Sequence, residues 1–262
     1  MISIREHWKV MTIKYWKLIA TLSTYIFVAN IHAETTELLF VTEHTPPYQY
    51  YNKSEEVDGF TTKIIHEALK LTPYKYQIKI FPWSRSFNMA KAKKNTCIFL
   101  MSKTEEREPY FHWVSPLVLT NDYFVGLSTR TDISVESIDE VKKYNVAVLK
   151  EDRTYYELIK HGFVERENLY VINNSSSMLN LLMLRKEIDF VLSDTVTIKY
   201  RALFNDIDPT LFTVYLKLNK EPTILYLACN LQTPNEVIET LGKAIETIKE
   251  NGTYDKLLNA WQ

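Results

Sequence analysis

The stretch Asn95–Leu117, NTCIFLMSKTEEREPYFHWVSPL, decides the fold that the sequence predicts. Its first part, 96–101, is an apolar run typical of a strand in a sheet that is covered on both faces. A polar turn with Ser102, Thr104 and Arg107 follows directly. In an open α/β sheet, ligands bind just beyond the carboxyl ends of the strands, and arginine can hold a carboxylate through two parallel hydrogen bonds. The stretch therefore predicts a site for a small anion, or else a surface arginine paired with a neighbouring glutamate.

The segments before this stretch alternate between strand and helix patterns. Residues 37–42 and 75–81 read as strands, whereas 60–71 and 86–94 carry apolar residues at helical spacing. Successive β-α steps of this length predict a parallel sheet with right-handed crossovers. Residues 117–128 then read as one extended run that closes this first unit.

The second half of the chain repeats this order and predicts a second α/β unit. We expect the chain to leave the first unit near Ser128 and to return near Lys220, so that residues 34–128 and 220–262 form one lobe and 129–219 the other. Strands are predicted over 145–149, 170–172, 188–192, 211–217 and 223–229, and helices over 135–141, 155–162, 175–185, 195–203, 234–252 and 254–261.

Composition limits the class of protein. The chain has 262 residues, of which 46% are hydrophobic and 24% charged, and this is typical of a globular protein. The 31 lysines and arginines nearly balance the 32 acidic residues, so no net field favours nucleic acid or another polyanion. We expect a monomer that binds no nucleic acid.

The amino terminus has the pattern of a signal peptide. Lys14 and Lys17 precede the mostly apolar segment 18–30, and the small residue Ala33 follows. A membrane anchor is the alternative, but the segment is shorter than the roughly 20 apolar residues that span a bilayer. We expect residues 1–33 to be removed after Ala33, with translation starting at Met1 or Met11, and the mature chain to be exported.

Cys97 and Cys229 are the two cysteines of the chain. An exported protein can keep a disulfide, but two positions in a sequence do not give the distance between them. Cysteine is among the residue types that are most often buried, so two buried free thiols are favoured over a bridge. No cysteine stands at the predicted cleavage point, which argues against a lipid anchor. The dispersed histidines indicate no metal site.

The order of parts resembles the bacterial extracellular solute-binding proteins of the polar amino-acid uptake type, the periplasmic receptors of ABC importers. The resemblance covers residues 34–262 and is carried by PPYQY and DGF, PWSR, SKTEER with YFHWVSPL, IDFVLSD and the closing IETIKENGTYDKLLNAW. It implies the type II periplasmic-binding-protein fold, with two lobes that are each a mostly parallel sheet flanked by helices and are joined by two crossing strands. It further implies a periplasmic location, a small ligand such as an amino acid or a related carboxylate, and an importer permease as partner.

The resemblance also implies roles for particular residues. The arginine of its T-x-x-R turn, which holds the carboxylate of the ligand, falls on Arg107, with Thr104 and Ser102 beside it. An aspartate after a strand of the second lobe takes the ammonium group and falls on Asp194. The alternative for Asp194 is a helix N-cap, and one side chain can do both. A zwitterion held between opposite lobes would itself favour the closed state.

The sequence departs from the family pattern in two loops. Residues 150–154, KEDRT, lack the usual glycine, so either Arg153 supplies a replacement grip or the ligand is not a plain α-amino acid. The aromatic residue usual before the first proline is also absent. We expect Trp83 to provide a ring instead, Glu43 to add a negative wall for a basic ligand, and Tyr48 to be a further ligand-binding residue.

Two other classes of function remain open at this stage. The same fold can host a dehydratase acting on a small carboxylic acid, for which Glu43, His44 and Asp152 would be the candidate acids and bases. No nucleophile motif stands out, so the sequence predicts a binding protein rather than an enzyme, with no cofactor. A ligand sensor that signals to a membrane partner is the second alternative.

Overall fold

Two five-stranded sheets form the framework of the protein in a computed structural model that describes residues 36–185 and 187–260. The predicted signal peptide lies outside the described residues. In chain order the elements are β1 (Glu37–Thr42), β2 (Tyr50–Tyr51), β3 (Val57–Asp58), α1 (Phe60–Leu69), β4 (Lys75–Ile80), α2 (Trp83–Ala92), β5 (Thr96–Ser102), β6 (Phe111–Thr120), β7 (Tyr123–Leu127), α3 (Ile138–Val141), β8 (Val146–Leu149), α4 (Arg153–Lys160), β9 (Leu169–Ile172), α5 (Met178–Leu184), β10 (Phe190–Ser193), α6 (Thr195–Phe204), β11 (Phe212–Lys217), β12 (Thr223–Asn230), α7 (Asn235–Glu250) and α8 (Thr253–Asn259).

The first sheet has the strand order β4-β1-β5-β12-β6. β1 pairs in parallel with β4 and β5, whereas β12 is antiparallel to both β5 and β6. Four of its strands therefore run in one direction and β12 runs against them. α1 and α7 cover one face, where Ile64, Leu241 and Ile245 join Phe40 and Phe99 in a buried cluster.

The second sheet repeats this plan with the order β11-β7-β10-β8-β9. β8 is parallel to β9 and β10, and β7 is antiparallel to β10 and β11. Phe124, Val148, Leu158 and Phe190 form the cluster buried in this half. In each sheet four strands run in one direction and one strand runs antiparallel to them. These mostly parallel sheets, connected by helices, confirm the predicted α/β class.

A third cluster is shared by the two halves. Val41 and Ile98 of the first sheet belong to it together with Val125, Ala147 and Val191 of the second. Apolar burial between the sheets thus holds the two halves in contact.

The single run predicted over 117–128 is wrong, because the chain changes sheets within it. β6 begins already at Phe111 and ends at Thr120, whereas β7 pairs with β10 and β11 of the other half. An apolar pattern reports burial but not the partner strand, so two strands in line looked like one. The pairing moves the proposed lobe boundary from Ser128 back to Asn121 and Asp122. The return passes through 218–222, around Lys220.

Cys97 and Cys229 form a disulfide, which overturns the preference for two free thiols. They face each other across β5 and β12, with Cα atoms 3.9 Å apart. The sequence separation of 132 residues hid this proximity, since it depends on the register of two strands from opposite ends of the chain. Both cysteines are fully buried.

Candidate functional site

A polar cavity of about 130 Å³ lies between the two sheets. Its walls come from the carboxyl ends of β1, β5, β8 and β10, which is where open α/β sheets bind ligands. Of the residues singled out from the sequence, those that line the cavity are Glu43, Tyr48, Trp83, Ser102, Arg107, Asp152, Arg153 and Asp194. Thr104 lies outside it, where its carbonyl oxygen accepts from the backbone N–H groups of Arg107 and Glu108.

Arg107 is buried, with 5% of its surface exposed, and is not the surface arginine that the sequence left open. Its Nη1 donates to the carbonyl oxygen of Ser102 at 3.3 Å and to the hydroxyl at 2.8 Å. The guanidinium carbon lies 4.8 Å from the centre of the Trp83 ring, a cation-π distance. Burial lowers the pKa of Arg107 from its usual value, and nearby Asp152 acts against that shift. A positive charge is thus fixed in place at the wall of the cavity.

Trp83 and Arg107 both form a hydrogen bond to the same backbone oxygen of the second half. Trp83 Nε1 and Arg107 Nη2 both donate to the carbonyl oxygen of Glu151, at 3.1 and 3.2 Å. Glu151 has a φ of 59°, in the left-handed region that favours glycine. The loop that lacks the glycine expected from the resemblance therefore still makes a left-handed turn, which aims a carbonyl across the cleft.

A second cavity, of about 550 Å³, lies beyond this contact. Arg107 and Arg153 line both cavities, so they form part of the wall between them. The lining of the larger cavity includes three aromatic side chains, those of Phe87, Tyr110 and Tyr156.

Tyr48 is placed by the loop between β1 and α1. The backbone N–H groups of Phe60 and Thr61 donate to the carbonyl oxygens of Pro47 and Tyr48, so the start of α1 holds this loop. Gly59 is required at the junction, because its φ is 118° and a Cβ there would lie 2.5 Å from the Tyr48 oxygen. Tyr48 Oη donates to Asp194 Oδ1 at 3.4 Å. Burial, and then the charge of Asp194, raises the pKa of Tyr48, which keeps its hydroxyl a donor.

Asp194 is the N-cap of α6. Its Oδ1 accepts from the N–H groups of Val196 and Thr197, at 2.9 and 2.8 Å, and Oδ2 accepts from Thr197 Oγ1 at 2.5 Å. The capping alternative from the sequence is therefore present in the structure. The same carboxylate also lines the cavity, so capping does not remove it from the site.

Arg153 is held by two acids. It forms ion pairs with Asp122 of the crossing segment and, at 2.5 Å, with Glu157 one turn along α4. Burial raises the pKa of Asp122, and the charge of Arg153 opposes that rise. A replacement grip on a ligand carboxylate would have to compete with both acids. Asp152 in turn caps α4 and accepts from the N–H of Thr154 at 2.9 Å.

Arg201, which sequence reasoning missed, lines the cavity from the last turn of α6. It has 7% of its surface exposed, and its Nη1 donates to the carbonyl oxygen of Ser175. A signal for it existed, because Asp194, Thr197 and Arg201 follow one another at spacings of three and four and share one helix face. Asp122 had no comparable signal, since the change of sheets was not foreseen.

Glu43 lies on the same wall as a half-buried carboxyl group. Burial raises its pKa to about 7, Asp152 adds to the rise, and Arg201 and Arg107 oppose it. The neighbouring His44 is held neutral in the same way, because burial and then Arg201 lower its pKa.

Among the described residues, no group of three or more side chains is arranged to hold a metal ion. Nor does that part of the chain contain a helix long and apolar enough to cross a bilayer.

Residues 38–262 match the family model of the bacterial extracellular solute-binding proteins, family 3. The chain belongs to this family. This bears out the resemblance seen in the sequence motifs, and a family of binding proteins agrees with the prediction that the chain is not an enzyme.

Individual relatives of this solute-binding protein are distant. The probable histidine-binding protein of Campylobacter jejuni subsp. jejuni serotype O:2 is 23% identical over 241 residues, which cover 89% of this chain and 88% of that protein. The sensor domain of a histidine kinase with similarity to periplasmic binding proteins has a TM-score of 0.77 at 14% identity, with 87% and 96% of the two chains covered. An ancestral arginine-binding protein bound to arginine has a TM-score of 0.73 at 20% identity, with 86% and 97% covered. These likenesses show the fold.

Proposed function

We propose that this solute-binding protein encloses a zwitterionic amino acid between its two sheets. The observation that carries the proposal is that Arg107 and Asp194, one from each half, line the same cavity with opposite charges. A ligand bound to both would connect the halves through its own two charged groups. Closure is then favoured by the ligand, because only the closed state provides both contacts.

Arg107 is the proposed anchor for the carboxylate. Its Nη1 is engaged by Ser102, and Trp83 covers a face of the guanidinium. The described residues supply no hydrogen-bond acceptor for Arg107 Nε. We therefore propose that Nε donates to a carboxylate oxygen of the ligand. Ser102 acts through the arginine that it orients, and Thr104 shapes the turn without reaching the ligand.

Asp194 is the proposed partner of the ammonium group, and Tyr48 steadies it through its hydroxyl. The relatives support a ligand of this class, since one is a probable histidine-binding protein and another is an ancestral arginine-binding protein bound to arginine. Arg153, which already pairs with two acids, is proposed as a structural residue of the wall rather than as a replacement grip.

Export to the periplasm and delivery to an ABC importer complete the proposal. The Cys97–Cys229 disulfide supports an oxidising compartment, because such bonds persist outside the cytosol. The predicted signal peptide and the family both agree with this location. A sensing role is the second candidate, and it is favoured by the likeness to a kinase sensor domain.

Isothermal titration calorimetry of the exported chain with the twenty amino acids tests the proposal. We expect at least one amino acid to bind with one-to-one stoichiometry and to raise the melting temperature, since a ligand of the folded state stabilises it by mass action. If no amino acid binds while the chain is folded, the proposal is wrong. Uptake of the labelled ligand by cells with and without the protein separates transport from sensing.

A further inference from the structure

Glu43 and Arg201 both line the cavity, and each has charged-group atoms without a hydrogen-bond partner among the described residues, although Arg201 Nη1 donates to the carbonyl oxygen of Ser175. Arg201 Nε is buried and has no hydrogen-bond partner among the described residues. The ion pairs of the described residues do not include Arg201. In the same part of the chain no donor reaches the carboxyl group of Glu43. Buried polar groups normally have hydrogen-bond partners. This wall therefore suits a ligand that has both an acceptor for Arg201 Nε and a donor for Glu43.

The two groups are close enough to affect each other's ionisation, since each shifts the pKa of the other. A cationic group bound beside Glu43 would also meet the positive charge of Arg201. An anionic group bound beside Arg201 would meet the negative charge of Glu43. A neutral group avoids both repulsions if its acceptor faces the guanidinium and its donor faces the carboxyl group.

We propose that Glu43 and Arg201 select a ligand whose side chain ends in a neutral carboxamide, as in glutamine or asparagine. The carboxamide oxygen accepts from Arg201 Nε, and the amide nitrogen donates to Glu43. This inference rests on the proposed function, which assigns the charged α-groups of the ligand to Arg107 and Asp194. It replaces the expectation from the sequence that Glu43 forms a wall for a basic ligand.

Charges on the rest of the wall support a neutral side chain. Four carboxyl groups and three guanidinium groups line the cavity. Arg153 and Asp122 pair with each other, and Arg107 and Asp194 are assigned to the two ends of the ligand. An additional negative charge on the ligand would therefore enter a cavity that already has an excess of acids. The carboxamide adds none and still provides both missing hydrogen bonds.

Titration calorimetry with a chosen set of ligands tests this inference on the exported full-length product. The set is glutamine, asparagine, glutamate, aspartate, arginine, lysine, histidine and alanine, where alanine has the α-groups alone. We expect one of the two amides to bind at least about tenfold more tightly than its acid counterpart and than every basic amino acid. The acidic and basic ligands each lose one hydrogen bond to a charged group and gain a repulsion, from Glu43 or from Arg201 respectively.

Two variants connect the preference to the two residues. Glu43→Gln removes the negative charge with little change of size, so the ratio of amide to acid affinity should fall at least about tenfold. Arg201→Lys keeps the charge but removes Nε, so amide affinity should fall about tenfold while alanine affinity stays the same. Glu239→Gln and Arg166→Lys, both on the exposed surface, are the matched controls and should change neither value.

The outcomes separate this inference from the proposed function. Preference for an acidic or basic ligand, or an unaltered ratio in Glu43→Gln, overturns the carboxamide site and leaves amino-acid binding in place. The absence of binding by all eight ligands overturns both. If Arg201→Lys fails to fold, as a circular dichroism spectrum would reveal, the ratio in Glu43→Gln decides the matter alone.

Discussion

At the scale of single residues, Arg107 combines a buried charge with partners that occupy only part of its guanidinium. Arg107→Lys replaces the planar fork with a single ammonium group, which cannot make two parallel hydrogen bonds to a carboxylate. We expect the binding of the preferred amino acid to weaken by about 2 kcal/mol or more, which is roughly a 30-fold loss of affinity. Calorimetric titration of the variant measures this change directly.

Arg85→Lys is the control for that substitution. Arg85 lies in α2, where it is exposed, and its guanidinium carbon lies 4.3 Å from the centre of the Phe81 ring; it does not line the cavity. Its replacement should leave affinity unchanged. An equal loss in both variants would mean that Arg107 does not contact the ligand.

Glu43 makes the stability of the ligand-free protein depend on pH. Its pKa is raised from 4.5 to about 7 in the folded state, mainly by burial, so folding favours the protonated form. The stability that this group contributes is complete below pH 4.5 and is lost as the pH rises through about 7. Between pH 5 and pH 8, Glu43→Gln should therefore gain about 2 to 3 kcal/mol of unfolding free energy relative to the parent chain.

Urea denaturation of both proteins at the two pH values measures the difference, and Glu239→Gln provides the surface control. A constant gap between parent and variant across this range would show that Glu43 is not desolvated as the structure has it.

Single residues of the site were predictable where a local pattern marked them. Arg107 follows a buried strand in a polar turn, and Asp194 stands where a strand passes into a helix. Asp122 and Arg201 escaped for different reasons. Asp122 depends on a change of sheets that no local pattern reports, whereas Arg201 had a signal in its spacing from Asp194 and Thr197, but the stretch was interpreted only as a helix.

At the scale of elements, α6 depends on Asp194 for its first turn. Asn caps a helix about as well as Asp, so Asp194→Asn should keep the unfolding free energy within about 0.5 kcal/mol, whereas Asp194→Ala should lower it by about 1 kcal/mol. Both variants lack the negative charge and should lose affinity for the amino acid alike. Denaturation curves and titrations of the pair distinguish the two roles.

A loss of stability without a loss of affinity would leave Asp194 as a cap alone. The comparison is possible because backbone N–H groups donate the capping hydrogen bonds, and the amide oxygen of asparagine can accept them as the carboxylate of Asp194 does.

Most elements were predictable because their patterns are local. The apolar spacing of 234–252 indicated α7, and the β-rich run 37–42 indicated β1 with the bounds that the structure has. Pairing between strands was not predictable, since it joins residues far apart in the chain. The split of 117–128 into β6 and β7 and the register of Cys97 with Cys229 both belong to that non-local class.

At the scale of the whole molecule, the disulfide joins the two separate segments from which the first sheet is made. Replacing both cysteines, as in Cys97→Ala with Cys229→Ala, should lower the unfolding free energy by about 2 to 5 kcal/mol, because the unfolded chain is no longer constrained across a long loop. Urea denaturation of the parent and the double variant under non-reducing conditions measures the loss. Equal midpoints and slopes would contradict a role for the bond in stability.

The same bond closes a covalent ring of the chain that contains the second sheet, since its two cysteines flank all of β7 to β11 in sequence. A protease that cuts once within this ring opens it without dividing the protein. Electrophoresis of the nicked chain should therefore give one full-length band without reductant and two fragments with it. The second half of the molecule is in this sense an insertion whose chain can be cut once while the protein stays in one covalent piece.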